Sequence, residues 1–219
     1  MFVTPMNYKA AIFDMDGLLL DTERLCMRIF KQACETLSLP FHKDAYLSII
    51  GRNAAGIEVI LRNAYGDDLP RLHHEWKQNY DAITHHQAIG LKDGVIELLQ
   101  WLKENNIPTS VATSTRKELA KIKLDLAGIS GYFDNLTCGC EVAHGKPNPE
   151  IYLLAASRLG IDPSECLAFE DSNNGVLAAV SAGMQTFQIP DLVEPSDEII
   201  ALGHAIKPSL ADVLHKLKS

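Results

Sequence analysis

Long apolar runs, paired cysteines and an excess of positive charge are all missing from this chain, and each absence removes a class of protein. No stretch of the 219 residues approaches the roughly 18 consecutive apolar residues of a membrane-spanning helix. The N-terminal MFVTPMNYK has no basic segment leading into an apolar one, so it does not read as a secretory signal. The five cysteines Cys26, Cys34, Cys138, Cys140 and Cys166 are odd in number and scattered. They form no disulfide framework, and a reducing cytoplasm is the expected location. Lys and Arg total 20 against 28 Asp and Glu, a net charge of -8, which disfavours nucleic acid and anionic membranes as partners. Neither a repeat nor a low-complexity tract is visible. What remains is a globular composition, 47% hydrophobic and 22% charged, with room for one domain or one domain carrying an insertion.

The chain begins its ordered pattern with KAAIF, residues 9 to 13, a short apolar run without helical periodicity that fits a buried strand. From Thr22 to about Gln87 only helical segments follow: LCMRIFKQACETL, DAYLSII, AAGIEVILRNAY and LHHEWKQNYDAI, separated by Pro40, Gly51, Gly66 and Pro70. After Gly90 helix and strand alternate, with strands at IPTSVAT, NLTC, CLAFE and MQTFQI and helices between them that stop at Gly128, Gly160 and Gly183. Such alternation predicts an α/β fold with a parallel sheet and right-handed crossovers. The expected division is a Rossmann-like core of residues 1–20 and 91–219, with an all-helical cap of residues 21–90 inserted after the first strand.

Parallel sheets bind ligands at the C-terminal ends of their strands, and those ends carry one kind of chemistry here. The first strand ends in Asp14 and Asp16, one residue apart. Two carboxylates so close resist ionising together unless something compensates them. SVAT runs into Thr113, Ser114 and Thr115 ahead of a helix that starts near Arg116, which offers hydroxyls and free amides to an anion. HGKPNPE holds Lys146 between a glycine and a proline, and CLAFE ends in Glu170 and Asp171. Carboxylate oxygens in this number suit Mg²⁺, and the set as a whole suits phosphoryl transfer, which needs positioning and charge neutralisation.

In order along the chain, Asp14-x-Asp16, the Thr113 strand end, Lys146 in GKP and the Glu170–Asp171 pair resemble the four motifs of the haloacid dehalogenase-like (HAD) phosphatases. The resemblance covers essentially the whole chain and is greatest to the branch that includes β-phosphoglucomutase. It implies that Asp14 attacks phosphorus to form an aspartyl phosphate, and that Asp16 is the general acid and base. It also implies that Thr113, Ser114 and Lys146 hold the phosphoryl oxygens. Mg²⁺ would be held by Asp14, the Asp16 backbone carbonyl and Asp171, with Glu170 in support. Thr22, Gly51, Arg52 and Asn53 are candidate substrate contacts on the cap side. The expected activity is hydrolysis of a small-molecule phosphate ester, a sugar phosphate or nucleotide-like phosphomonoester, by a cytoplasmic monomer.

Two alternatives stay open. A phosphomutase of the β-phosphoglucomutase type is one, although Cys26 stands where that enzyme has a histidine, and the loop IIGRNAA has Arg52 shifted and no lysine. A phosphoacceptor signalling module is the other, although such modules are shorter and lack a cap. Dehalogenases of the same superfamily lack an acid equivalent to Asp16. Elsewhere the plainer reading holds. The His73–His74 and His85–His86 pairs do not share a helix face, Cys138-Gly139-Cys140 lacks a second ligand pair, and Trp76 with Tyr80 reads as cap core. Residues 191 to 219 show no identifiable chemistry.

Overall fold

The computed structural model describes residues 8–50 and 54–219. Strand β1 (Ala10–Phe13) is wholly buried and is followed by α1 (Thr22–Thr36), α2 (Lys43–Ile49), α3 (Ala54–Tyr65) and α4 (Leu69–Thr84). Pro70, read from the sequence as a separator, lies instead in the first turn of α4. Its missing N–H is one that a helix start leaves unpaired anyway. Then come α5 (Val95–Glu104), β2 (Thr109–Thr113), α6 (Lys117–Leu126), β3 (Asn135–Cys138), α7 (Glu150–Leu159), β4 (Cys166–Glu170), α8 (Asn173–Ser181) and β5 (Gln185–Gln188). The last segment adds α9 (Asp197–Ile200), β6 (Ala205–Ile206) and α10 (Leu210–Leu217).

The strands form one parallel six-stranded sheet in the order β3-β2-β1-β4-β5-β6. Because β1 pairs with both β2 and β4, the chain winds outward one way, then returns to β1 and winds outward the other way. The strand order therefore reverses between β1 and β4, the place where open sheets leave a crevice beyond their carboxyl ends. Alternation sends Ala11 and Phe13 to one face and Ala10 and Ile12 to the other. Phe13 stacks on Phe169 with ring centroids 4.5 Å apart, and Phe169 on Phe187 at 5.6 Å. On the opposite face Ile12 and Ala168 meet Tyr152 and Ala155 of α7.

The all-helical cap has its own core, in which Phe30 is wholly buried among Tyr46, Tyr65 and Leu72, with Trp76 packed against them. Two chain segments join it to the sheet, and they are tied to each other. Asp21 N donates to Gly90 O at 2.8 Å, and Lys92 N donates to Leu19 O at 3.0 Å. Asp191, from the loop after β5, accepts from Lys92 Nζ at 2.5 Å and also from Arg24. No helix among the described residues is long and apolar enough to cross a membrane.

Candidate active site

Asp14 follows β1 directly, and its N–H donates to Phe169 O at 2.9 Å, so the turn that carries it is an extension of the β1–β4 ladder. Gly17 follows with φ +85°, a conformation that suits glycine, and a Cβ there would collide with the Asp171 carboxylate. The turn can pass this close to the acids because that residue has no side chain. Across the crevice, β4 delivers Glu170 and then Asp171. Asp14, Glu170 and Asp171 each offer a carboxylate oxygen, and these lie within 4.8 Å of one another.

Lys146 reaches this group from the loop before α7. Its Nζ donates to Asp14 Oδ1 at 2.5 Å, to Glu170 Oε1 at 2.6 Å and to Ala112 O at 3.0 Å. Burial opposes its charge, but Asp14 and Glu170 outweigh that penalty and raise its pKa. Glu170 is fully buried and saturated: Tyr152 Oη also donates to Oε1 at 2.6 Å, and Oε2 accepts from Asp171 N at 3.2 Å and from Ser172 Oγ at 3.2 Å. Gly175 leaves the space that this carboxylate occupies.

One ammonium among three buried carboxylates leaves the group short of positive charge. Burial pushes the Asp14 carboxyl up to about 7, with Lys146 pulling it down and Glu170 pushing it up. Burial followed by Asp14 and Glu170 raises Asp171 well above the usual carboxylate range. Asp171 receives no hydrogen bond on its side chain from the described residues, and Asp14 has one oxygen beyond the reach of Lys146. Crowded hard oxygens with spare lone pairs and a charge deficit fit a divalent cation such as Mg²⁺.

Asp14, Asp16, Thr113, Ser114, Lys146 and Asp171 line one cavity of about 550 Å³. It shares Glu23, Ile50, Asp171, Ser172 and Asn174 with a second cavity of about 530 Å³, walled by Leu47 and Ser48 of the cap and by Leu192 and Val193 of the core. Glu23, in both cavities, is raised to about 7 by burial and then by Asp16 and Asp191.

The remaining expected residues are distributed as follows. The Asp16 carboxylate stands apart from the Asp14–Glu170–Asp171 group: it accepts from Thr115 Oγ1 at 2.6 Å and from Lys123 Nζ at 2.7 Å. Thr113 Oγ1 accepts from Thr115 N at 3.1 Å, which shapes the turn into α6. Thr22 does not face the cleft. It is buried at the start of α1, where its hydroxyl accepts from Gly17 N at 2.9 Å and so serves the turn below the acids. Gly51, Arg52 and Asn53 lie outside the described residues. Sequence reasoning named Thr115 as an anion-facing hydroxyl, whereas it is bonded to Asp16, and it missed Tyr152 and Lys123. Only Lys123 left a signal, because it falls in the buried stripe of α6 with Ala120 and Leu124, where an apolar residue is expected.

Residues 8–183 match the family model of the haloacid dehalogenase-like hydrolases. The chain belongs to that family. It is 34% identical over 183 residues to a phosphorylated carbohydrates phosphatase of Thermotoga maritima, covering 81% of this chain and 82% of that one. To the β-phosphoglucomutase of Bacillus subtilis it is 33% identical over 186 residues, 80% of each chain. Among solved structures, CbbY of Rhodobacter sphaeroides in complex with phosphate superposes with a TM-score of 0.76 at 27% identity, covering 97% of this chain and all of that one. The expected parallel sheet with a helical cap is the fold of this haloacid dehalogenase-like hydrolase.

Proposed function

We propose that the protein is a Mg²⁺-dependent phosphatase that hydrolyses a small phosphorylated metabolite, a sugar phosphate or nucleotide-like phosphomonoester, through an aspartyl phosphate on Asp14. The observation that carries this reading is the contact of Lys146 with Asp14 at the crevice between β1 and β4, where a further two acids and a cavity converge. Core and cap are taken as residues 1–20 with 91–219, and 21–90.

In the first step an Asp14 oxygen attacks phosphorus, the ester P–O bond breaks, and Asp16 gives its proton to the departing oxygen. In the second, a water oxygen attacks the same phosphorus, Asp16 takes the water's proton, and the bond to Asp14 breaks. Inorganic phosphate leaves and both acids return to their starting states. Lys146 screens the charge between Asp14 and an incoming phosphate, while Thr113, Ser114 and the amides at the start of α6 receive phosphoryl oxygens. Asp14 and Asp171 would hold Mg²⁺, with Glu170 braced behind them by Lys146 and Tyr152. The ion would supply neutralisation of the transferring phosphoryl group.

The test is turnover of 4-nitrophenyl phosphate and a panel of sugar, polyol and nucleoside monophosphates, with and without Mg²⁺. Turnover that requires Mg²⁺ and is abolished in Asp14→Asn is the expected result; silence on every ester overturns the reading. The similarity to a β-phosphoglucomutase favours one alternative, a phosphomutase. A mutase returns an isomeric sugar phosphate, whereas a phosphatase releases one inorganic phosphate per ester consumed. Arg52 is proposed to contact substrate, with Gly51 and Asn53 beside it, and an unchanged kcat/KM in Arg52→Ala removes that assignment.

A further inference from the structure

Both oxygens of the Asp16 carboxylate are held by core groups to which the proposed reaction gives no role. Thr115 Oγ1 donates to Oδ2 at 2.6 Å and Lys123 Nζ donates to Oδ1 at 2.7 Å. The Lys123 side chain is 1% exposed, and a lysine is buried to that degree only where its charge is matched and its donors are used. One match is Asp16, in the core. Another comes from the cap: Lys123 Nζ donates to Tyr80 Oη on α4 at 2.8 Å. The helix that carries Tyr80 packs against α1, so the contact is anchored in two cap helices.

We propose that Lys123 is a positioning residue that fixes the orientation of Asp16 and makes that orientation depend on where the cap sits. The inference rests on the phosphatase reading of Asp16. The two anchors of Asp16 differ in kind. Thr115 belongs to the core alone, next to the β2 strand end, and keeps its place whatever the cap does. Lys123 is shared, because its Tyr80 partner sits on α4 of the cap, which joins the sheet through the paired segments at Leu20 and Leu91, while α6 belongs to the core. An ammonium is a point charge on a flexible stem that can redistribute its donors. Displacing Tyr80 therefore changes what Lys123 does to Asp16, while the bond from Thr115 is untouched. In this structure the Asp16 carboxylate lies with α6 and outside the Asp14–Glu170–Asp171 group. Protonating a leaving oxygen requires it at hydrogen-bond distance from that oxygen, and small errors of placement are expensive in rate.

The leaving group reads this role directly. An alkyl phosphate needs a proton on its departing oxygen, whereas 4-nitrophenyl phosphate departs as a weakly basic phenolate and needs it far less. The value of kcat/KM covers the steps through ester cleavage, so the alkyl-to-aryl ratio of kcat/KM isolates proton donation from binding and from the later hydrolysis. In Lys123→Met this ratio falls about tenfold or more, part of the 10²- to 10⁴-fold that general acids contribute. In Tyr80→Phe it falls about threefold, the size of one hydrogen bond, and Lys123→Arg recovers most of the loss. Parallel changes for both esters in Lys123→Met and Tyr80→Phe overturn the proposal. Tyr80→Phe removes a single hydroxyl and decides the matter even where Lys123→Met does not fold. Asp16→Asn separates the two layers. If it leaves the ratio unchanged, the assignment of Asp16 as the acid fails; if it lowers the ratio while the Lys123 and Tyr80 variants do not, the positioning role alone fails.

Discussion

Around Phe30 the cap gathers the rings of Phe41, Tyr46, Tyr65 and Trp76 at centroid distances of 4.9 to 6.2 Å, and no charged side chain is buried there among the described residues. At the crevice between β1 and β4, by contrast, three buried carboxylates and an ammonium are gathered just past the strand ends that carry the stacked rings of Phe13 and Phe169. Apolar packing is non-directional and tolerates substitution of similar volume, so the cap can vary its surface while keeping its shape. Buried charge has no such tolerance: each group is stable only while its partner stays in place. The comparison teaches why the charged groups are rooted in the sheet, whose ladder fixes backbone positions, while the helical unit forms the opposite wall of the cavity.

The strongest attempt to break this contrast is Asp14→Asn. Under the proposed mechanism kcat falls by roughly 10⁴-fold or more, the scale seen when an enzyme loses its nucleophile, and the unfolding midpoint changes less than in Lys146→Met, because Glu170 still partners Lys146. Wild-type turnover in the Asp14→Asn protein ends the assignment. Lys146→Met comes next. It strands Asp14 and Glu170 without their shared cation, and denaturant titration should show a loss of about 3–5 kcal/mol. The double substitution with Asp14→Asn should lose less than the sum of the two, because the groups are in contact.

Phe30→Ala tests the other half of the comparison. It should destabilise by about 3 kcal/mol through the cavity it leaves, and folded protein should keep the Mg²⁺ dependence of the wild type. The smallest effect is expected at Glu141, which the Arg158 guanidinium, the Cys138 amide and Lys117 hold down at about 2 against a modest desolvation. A depressed acid contributes stability above its ordinary pKa and loses it as pH falls through the folded value. Glu141→Gln should therefore lower the thermal midpoint at neutral pH by an amount worth about 1 kcal/mol or less, since partly solvated ion pairs are screened. The difference should shrink as pH falls from the ordinary carboxylate range toward 2.

Much of the architecture was legible because it depends on local pattern. The alternation after Gly90 located β2 to β5 and the helices between them, and the uninterrupted helical text from Thr22 located the cap. Pro70 was misread because a proline ends one helix and opens another with the same letter, and only the neighbouring turn tells which. Thr22 was assigned to the cleft from its place in the chain, yet its hydroxyl is bonded to Gly17 N below the acids. In the C-terminal segment, β6 has only two residues, too short to show a period, and Asp191 acquires its role solely by meeting Arg24 and Lys92.

The sequence by itself determined which residues end the strands, since a strand's period and its polar stop are written in neighbouring letters. It thereby named Asp14, Thr113, Glu170 and Asp171 as one set, to which the GKP loop added Lys146, before their distances were known. Only the tertiary structure decided how those charges are shared. Glu170 is saturated by Lys146, Tyr152 and its own turn, Asp171 takes no side-chain hydrogen bond from the described residues, and Asp16 is turned toward a lysine from α6 and, through it, toward a tyrosine of the cap. Lys123 lies 107 residues from Asp16 and 43 from Tyr80. No local pattern encodes such a meeting; it exists because α4 of the cap packs on α6 of the core, which buries the Lys123 charge where it cannot remain unmatched.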